Sequence, residues 1–271
     1  MKIGVVGFGM VGGAVARGFR KKGFEVFVND IDEKKKEEAK KLGFEVLELE
    51  ELVKRCDFIF VCVPTPCKDD GSCDVSIVES VFKKIVNIPV EEEKIIVIKS
   101  TVIPGTIDRL KEELKGNYKL VFNPEFLREK YAVEDFLKPW LGYIIVSGYD
   151  EAVDKVAELY KDFGAPTIKT KPKVAEMVKY VSNYFHATKI SFANEVGLIC
   201  KKLGINPNEV MNIIKIESFG GYYLDPTKGP FGGSCLPKDT DALLALCREI
   251  GFKPYLLEAV KKVNEIMKGE K

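Results

Sequence analysis

The chain opens on an apolar, partly β-branched run, Lys2 to Val6, followed by a glycine cluster and then by apolar residues at helical spacing from Val11 to Phe19. A continuous apolar run bounded by turn residues predicts a buried strand, and a spacing of three to four predicts an amphipathic helix. Phe24 to Val28 predicts a second strand ending at Asn29-Asp30, and the charged stretch Asp32 to Leu42 predicts a second helix with a solvated face. Apolar runs at Phe58 to Val63, Lys94 to Lys99, Lys119 to Phe122 and Tyr143 to Val146 repeat the alternation, with helical stretches between most of them. Strands that are apolar throughout and separated by helices predict a parallel sheet covered on both faces, an α/β fold.

From Pro172 onward the strand pattern stops. Glu176 to Leu203 reads as one long helix, and Asn208 to Lys215, Asp239 to Ile250 and Tyr255 to Met267 read as further helices. The polar, proline-bearing segment 166–173 predicts a boundary, with an α/β domain over residues 1–170 and an all-helical domain over 171–271. The long helix carries more apolar positions than the few short helices after it can cover, which predicts a homodimer through residues 176–203.

With 271 residues, 46% of them hydrophobic, the chain can bury a core without disulfides or a structural metal. A net charge of +1 leaves no electrostatic footprint for nucleic acid. Nothing approaches the ~20-residue apolar span of a membrane helix, and the N-terminal run leads into glycines rather than a cleavage site, so a soluble, cytoplasmic protein is expected. The seven cysteines match neither a secreted scaffold nor a zinc pattern and read as reduced thiols, mostly packing. Cys62, Cys67 and Cys73 have no histidine near them, so no metal is expected. Glutamine is absent and only six of the 42 basic residues are Arg. That bias fits a hot-environment organism or an AT-rich genome rich in Lys codons.

Gly7-Phe8-Gly9-Met10-Val11-Gly12 matches the GxGxxG dinucleotide fingerprint directly after a strand and at the opening of a helix, and it makes the α/β domain Rossmann-type. Gly7 permits the tight turn, Gly9 lets a pyrophosphate approach the backbone, and Gly12 lets the helix pack closely on the strand. Met10 and Val11 open the helix, whose free N–H groups face the phosphates. Asp30 can accept from both ribose hydroxyls and would repel a 2′-phosphate, which predicts NAD rather than NADP.

Thr65, Thr101 and Glu125 follow later strands, where the ligand crevice of an open parallel sheet lies. Thr65 and Thr101 could instead cap the next helices, and Glu125 could simply pair with Arg128. On the long helix Lys179, Asn183 and His186 form one polar stripe; His186, the only histidine, reads as a structural residue. The segment Gly229 to Asp239 places Cys235 after glycines that leave its sulfur approachable, with Lys238 adjacent and a helix expected to begin near Asp239. Such surroundings lower a thiol pKa and make a nucleophile.

Taken together, GVVGFGMVG from residue 4, Asp30, VCVPTP at 61–66, KSTVIPGT at 99–106, NPEFLRE at 123–129, Lys179, Asn183, Asn194-Glu195 and FGGSCLPKD at 231–239 resemble the UDP-glucose and GDP-mannose dehydrogenases. The resemblance implies NAD-dependent, two-step oxidation of a nucleotide-sugar primary alcohol to a uronic acid. It implies Cys235 as nucleophile, Lys179 and Asn183 at the oxyanion, Thr101 and Asp239 in the water and proton relay, and Glu125 as the base for hydrolysis, a role a carboxylate can fill if burial raises its pKa. Thr65, Thr101 and Lys238 would join the glycine loop and Asp30 around the cofactor. Phe126, Leu127, Phe231 and Gly232 would line the sugar pocket with Glu125, Lys179 and Asn183.

Two departures stand out. Members of this family usually carry a third, C-terminal domain, and this chain stops at Lys271, so a separate polypeptide is a candidate supplier. They also often carry an Arg where this chain reads Ser218-Phe219-Gly220. The alternatives are a single-hydride β-hydroxyacid-type dehydrogenase and an inactive NAD-binding dimeric partner.

Overall fold

The computed structural model describes residues 1–216 and 229–269; Ser218-Phe219-Gly220 therefore lies outside the described residues. In chain order the elements run β1 (Lys2–Val6), α1 (Met10–Lys21), β2 (Glu25–Asn29), α2 (Glu33–Lys41), β3 (Glu45–Val46), α3 (Leu49–Arg55) and β4 (Phe58–Val61). They continue through α4 (Ser76–Val86), β5 (Lys94–Ile98), α5 (Thr106–Glu112), β6 (Tyr118–Phe122), α6 (Ala132–Leu137), β7 (Ile144–Gly148), α7 (Ala152–Leu159) and β8 (Thr167–Thr170). Helices α8 (Pro172–Leu203), α9 (Pro207–Ile216), α10 (Leu236–Glu249) and α11 (Tyr255–Gly269) follow.

The strands form one sheet in the order β3-β2-β1-β4-β5-β6-β7-β8. All neighbours from β3 to β6 are parallel. The chain crosses from β1 to β2 on one side and continues through β4 on the other, so β1 marks the reversal at which such sheets open a crevice. Ala14, Val15 and Phe19 of α1 pack with Phe136 and Val156 on one face. Leu52, Phe82, Ile107 and Leu110 cover the other face.

Two features correct the expected sheet. Strand β7 runs antiparallel to β6, through Val121↔Gly148 and Phe122↔Ser147, because apolar periodicity reads the same in either direction and carries no strand polarity. Segment 166–173, expected as a linker, contains β8, which pairs parallel with β7. It is an edge strand with both of its central residues exposed, which is why its sequence, Thr-Ile-Lys-Thr, is polar.

The chain divides into two compact units, residues 1–65 with 75–179, and residues 66–74 with 180–271. The cut thus falls inside α8, at Lys179, rather than at residue 170, and the short segment Pro66–Asp74 after β4 groups with the helices. In the helical unit, Ala187 and Ile190 of α8 pack on Phe231 and on Val260 of α11. Ser191 donates to the Val260 carbonyl at 3.1 Å. Val181, Phe185 and Phe192 of α8 stand exposed. No described helix is long and apolar enough to cross a membrane.

Candidate active site

The turn after β1 has the shape a pyrophosphate needs. Gly7 has φ of +91°, open to glycine at little cost, and a Cβ on Gly12 would sit 1.8 Å from the Gly7 carbonyl oxygen. A Cβ on Gly9 would meet nothing within 4 Å, so the space above the turn is open. Gly9 is the N-cap of α1 and has no side chain to occupy the first-turn N–H groups, which begin at Met10 and Val11. At the tip of β2, Asp30 accepts from the Phe8 N–H at 2.5 Å and from the Asp32 N–H at 2.9 Å. Each carboxylate oxygen keeps a further lone pair for a ribose hydroxyl. The residues present fit a dinucleotide.

Beyond β6, Glu125 is buried and accepts from Lys179 Nζ at 3.0 Å and from the Leu127 N–H at 2.6 Å. Arg128 pairs instead with Asp135 at 2.6 Å, which removes the reading of Glu125 as its partner. The condition set for Glu125 as a base, a pKa raised by burial, is not met. Burial pushes it up, but the Lys179 charge, the Leu127 and Lys179 hydrogen bonds and the Lys99 charge outweigh that and hold it below its usual 4.5. Phe126 lies against Tyr143 with ring centroids 5.6 Å apart, and Lys179 Nζ lies 5.4 Å from the Phe126 ring centroid. Leu127 is half-buried.

Thr65 and Thr101 are both buried, and neither caps a helix: α4 is preceded by Val75 and α5 by Gly105. Sequence reasoning missed two residues of this unit. Lys99, at the end of β5, donates to the Asn123 side chain at 3.0 Å and to its carbonyl at 3.2 Å. Burial pushes its ammonium down to about 8, with Lys179 adding to the depression and Cys62 and Glu125 opposing it. Glu176, on α8, accepts from the Gly105 N–H at 2.6 Å and the Ile107 N–H at 2.8 Å, pinning the loop that carries Thr101. Only the lysine of the KSTV segment, a charge ending an apolar strand, left a sequence signal. The cavity beside Lys99, Glu125, Phe126 and Trp140, about 40 Å³, admits water but not a sugar.

In the helical unit, α10 begins at Leu236, three residues earlier than expected, because Pro237 suits the first turn of a helix. Cys235 is therefore its N-cap residue, half-buried, and its carbonyl accepts from the Asp239 N–H at 2.8 Å. Asp239 is buried and takes a hydrogen bond from Asn183 Nδ2 on one oxygen. Its other oxygen lies 2.9 Å from Lys238 Nζ. Asn183 keeps a second amide N–H. His186 is buried, its Nε2 3.5 Å from Ser182 Oγ. The Phe231 side chain packs in the helical core, its N–H donating to Asn264 at 2.7 Å, while Gly232 is exposed. Burial pushes the Cys62 thiol up to about 12, which marks it as packing.

Residues 36–164 match the NAD binding domain of the UDP-glucose/GDP-mannose dehydrogenase family and residues 173–266 its central domain. Residues 2–58 also match the NAD binding domain of 3-hydroxyacyl-CoA dehydrogenase. A GDP-mannose 6-dehydrogenase of Pseudomonas putida is 32% identical over 98% of this chain and 68% of that protein. The chain belongs to the UDP-glucose/GDP-mannose dehydrogenase family. A UDP-glucose 6-dehydrogenase of Haloferax volcanii is 34% identical over 98% of this chain and 70% of its own length. A solved UDP-glucose dehydrogenase from Pyrobaculum islandicum superposes with a TM-score of 0.87 at 35% identity, covering 98% of this chain and 68% of that one. As a member of this family the chain is an NAD-dependent oxidoreductase, and its sheet unit carries the NAD-binding fold.

Proposed function

We propose that this dehydrogenase oxidises the primary alcohol of a nucleotide sugar to a carboxylate in two steps, with Cys235 as the covalent nucleophile. Bound NAD supplies a hydride acceptor for each oxidation. Between the oxidations the Cys235 sulfur adds to the aldehyde carbon and its thiol proton passes to the oxygen, giving a thiohemiacetal. Loss of the second hydride together with the hydroxyl proton leaves a thioester, which water cleaves to carboxylate, a proton and free thiol. Lys179 and the spare N–H of Asn183, one helical turn apart on α8, are fixed donors for the oxyanion. Asp239 holds Asn183 in place, and with Thr101 it serves the proton relay. Thr65 and Lys238 are assigned to the cofactor side, and Gly232 and the Phe231 backbone to the sugar.

Glu125 is assigned to the hydrolytic water. Held below the usual carboxylate range, it is ionised throughout the neutral region and so is in the form that can take a proton from the water, with its fixed position offsetting its weak basicity. The observation that carries the reading is Cys235 at the head of α10, with Asn183 and Asp239 joined in the same helical unit. The exposed Val181, Phe185 and Phe192 support a homodimer through α8, and the reactive thiol supports a reducing, cytoplasmic setting.

The test is the number of reduced cofactors formed per sugar across a panel of UDP- and GDP-sugars. Two supports the reading, one points to β-hydroxyacid-type chemistry, and none on any sugar points to a binding partner without activity.

A further inference from the structure

The segment Pro66–Asp74 between β4 and α4 is a small hairpin. Cys67 and Cys73 face each other across it as an isolated antiparallel bridge. The bonds on either side are Asp74 N–H to the Pro66 carbonyl and Lys68 N–H to the Ser72 carbonyl, both 2.8 Å. That pattern makes Cys67 and Cys73 a non-hydrogen-bonded pair, in which Cα atoms lie about 4.5 Å apart and side chains approach most closely. A disulfide spans Cα separations of roughly 4.4–6.8 Å, so the backbone already holds these two residues within bonding range.

The hairpin is fixed from both sides. Gly71, with φ of +85°, makes the tip, and the Asp70 carboxylate accepts from Ser72 N–H at 2.8 Å and Oγ at 2.6 Å. Arg248 of α10 donates to the Asp70 carbonyl at 2.7 Å. Cys67 is exposed and Cys73 is buried, and both are thiols here. Burial, followed by the charges of Asp241 and Cys73, pushes the Cys67 thiol up, and Lys238 opposes this. The other thiols at 56, 62, 200 and 247 are buried, and none of them is bridged to another cysteine in this way.

We propose that Cys67 and Cys73 are a reversible disulfide pair that staples this hairpin when the protein meets a peroxide. The exposed Cys67 sulfur attacks the O–O bond, giving a sulfenic acid and one water; the Cys73 sulfur then displaces the second oxygen as water and forms the S–S bond. The two thiols together lose two electrons and two protons, and one peroxide becomes two waters. A dithiol reverses the step by exchange.

The test uses the whole, reduced protein treated with limiting hydrogen peroxide, weighed intact before and after alkylation in denaturant, then mapped by peptides. The proposal expects a loss of about 2 Da when the oxidised protein is weighed before alkylation, and two alkyl groups fewer than the reduced control after it, with Cys67 and Cys73 together escaping alkylation and regaining it after dithiothreitol. In C67S the loss disappears. In C73S, Cys67 stops at the sulfenic acid and is trapped by dimedone. Full alkylation of both residues after oxidation, oxygen adducts on Cys67 without closure, or a 2 Da loss that persists in C67S would each overturn it.

Discussion

Glu125 in the sheet unit and Cys235 in the helical unit are set up in opposite ways. Glu125 follows directly on a central strand, is enclosed, and has its charge met by Lys179 at 3.0 Å and by the Leu127 N–H. Cys235 stands at a loop-to-helix junction, half-buried, with Gly232 and Gly233 before it. The difference teaches that the carboxylate is preorganised and costly to disturb, whereas the sulfur is accessible and cheap to replace. Loss of a partner in the first case should affect folding and chemistry together. Replacement in the second should affect chemistry alone.

The largest expected effect is therefore on turnover without stability. Cys235→Ser should lose activity by at least ~10³-fold, because an alkoxide is scarce at neutral pH and an ester hydrolyses more slowly than a thioester. Its NAD affinity and thermal midpoint should stay at wild-type values. Two reduced cofactors per sugar at the wild-type rate would make the cysteine structural. Lys179→Ala should break the comparison from the other side. Turnover should fall on the order of 10²-fold, and urea unfolding should show a loss of about 3–5 kcal/mol, since a buried carboxylate is left without its cation.

A pH experiment sharpens the contrast further. Lys99 has its pKa lowered from 10.5 to about 8. Below pH 8 it is protonated both folded and unfolded, so the cost of burying the charge is fully present. As pH rises from about 8 to 10.5 the folded chain holds fewer protons than the unfolded one, so this residue's contribution to stability should climb by on the order of 3 kcal/mol. Comparing unfolding of wild type and Lys99→Met at both ends of that window isolates the rise. The same slope in both proteins would place it elsewhere. The smallest effect is on cofactor choice: Asp30→Asn should narrow the preference for NAD over NADP by about tenfold, one charge contact at the crevice rim. Equal NADP binding by the wild type would remove Asp30 from that role.

The fold was legible wherever side-chain period decides structure. Strands β4, β5 and β6 and the helices after Pro172 follow from apolar spacing as elements, while several of their ends do not: β4 stops at Val61 rather than Val63, β5 at Ile98 rather than Lys99, and α10 starts at Leu236 rather than near Asp239. Strand direction did not follow, since β7 has the same pattern either way, and β8 was hidden by an edge strand's polar composition. The candidate residues were legible as types: a cysteine after glycines, a lysine and an asparagine one turn apart. Their partners were not. Nothing local in the sequence says that Glu125 meets Lys179 rather than Arg128, or that Glu176 reaches back to Gly105, because those contacts span 54 and 71 residues. The direction of the Glu125 pKa was lost with them: burial alone predicts a rise, and the folded positions of Lys179 and Lys99, together with the Leu127 N–H, reverse it.

The central claim is that Cys235 carries the sugar covalently and Glu125 releases it. Glu125→Gln keeps the shape and the hydrogen bond from Lys179 but cannot take a proton from water, so the thioester should accumulate. Intact-protein mass after a single turnover with NAD and the nucleotide sugar is the direct measurement. The account predicts an adduct of the sugar's acyl mass, mapped to Cys235 and absent from Cys235→Ser/Glu125→Gln. An unmodified protein that has nonetheless formed two reduced cofactors per sugar would contradict it.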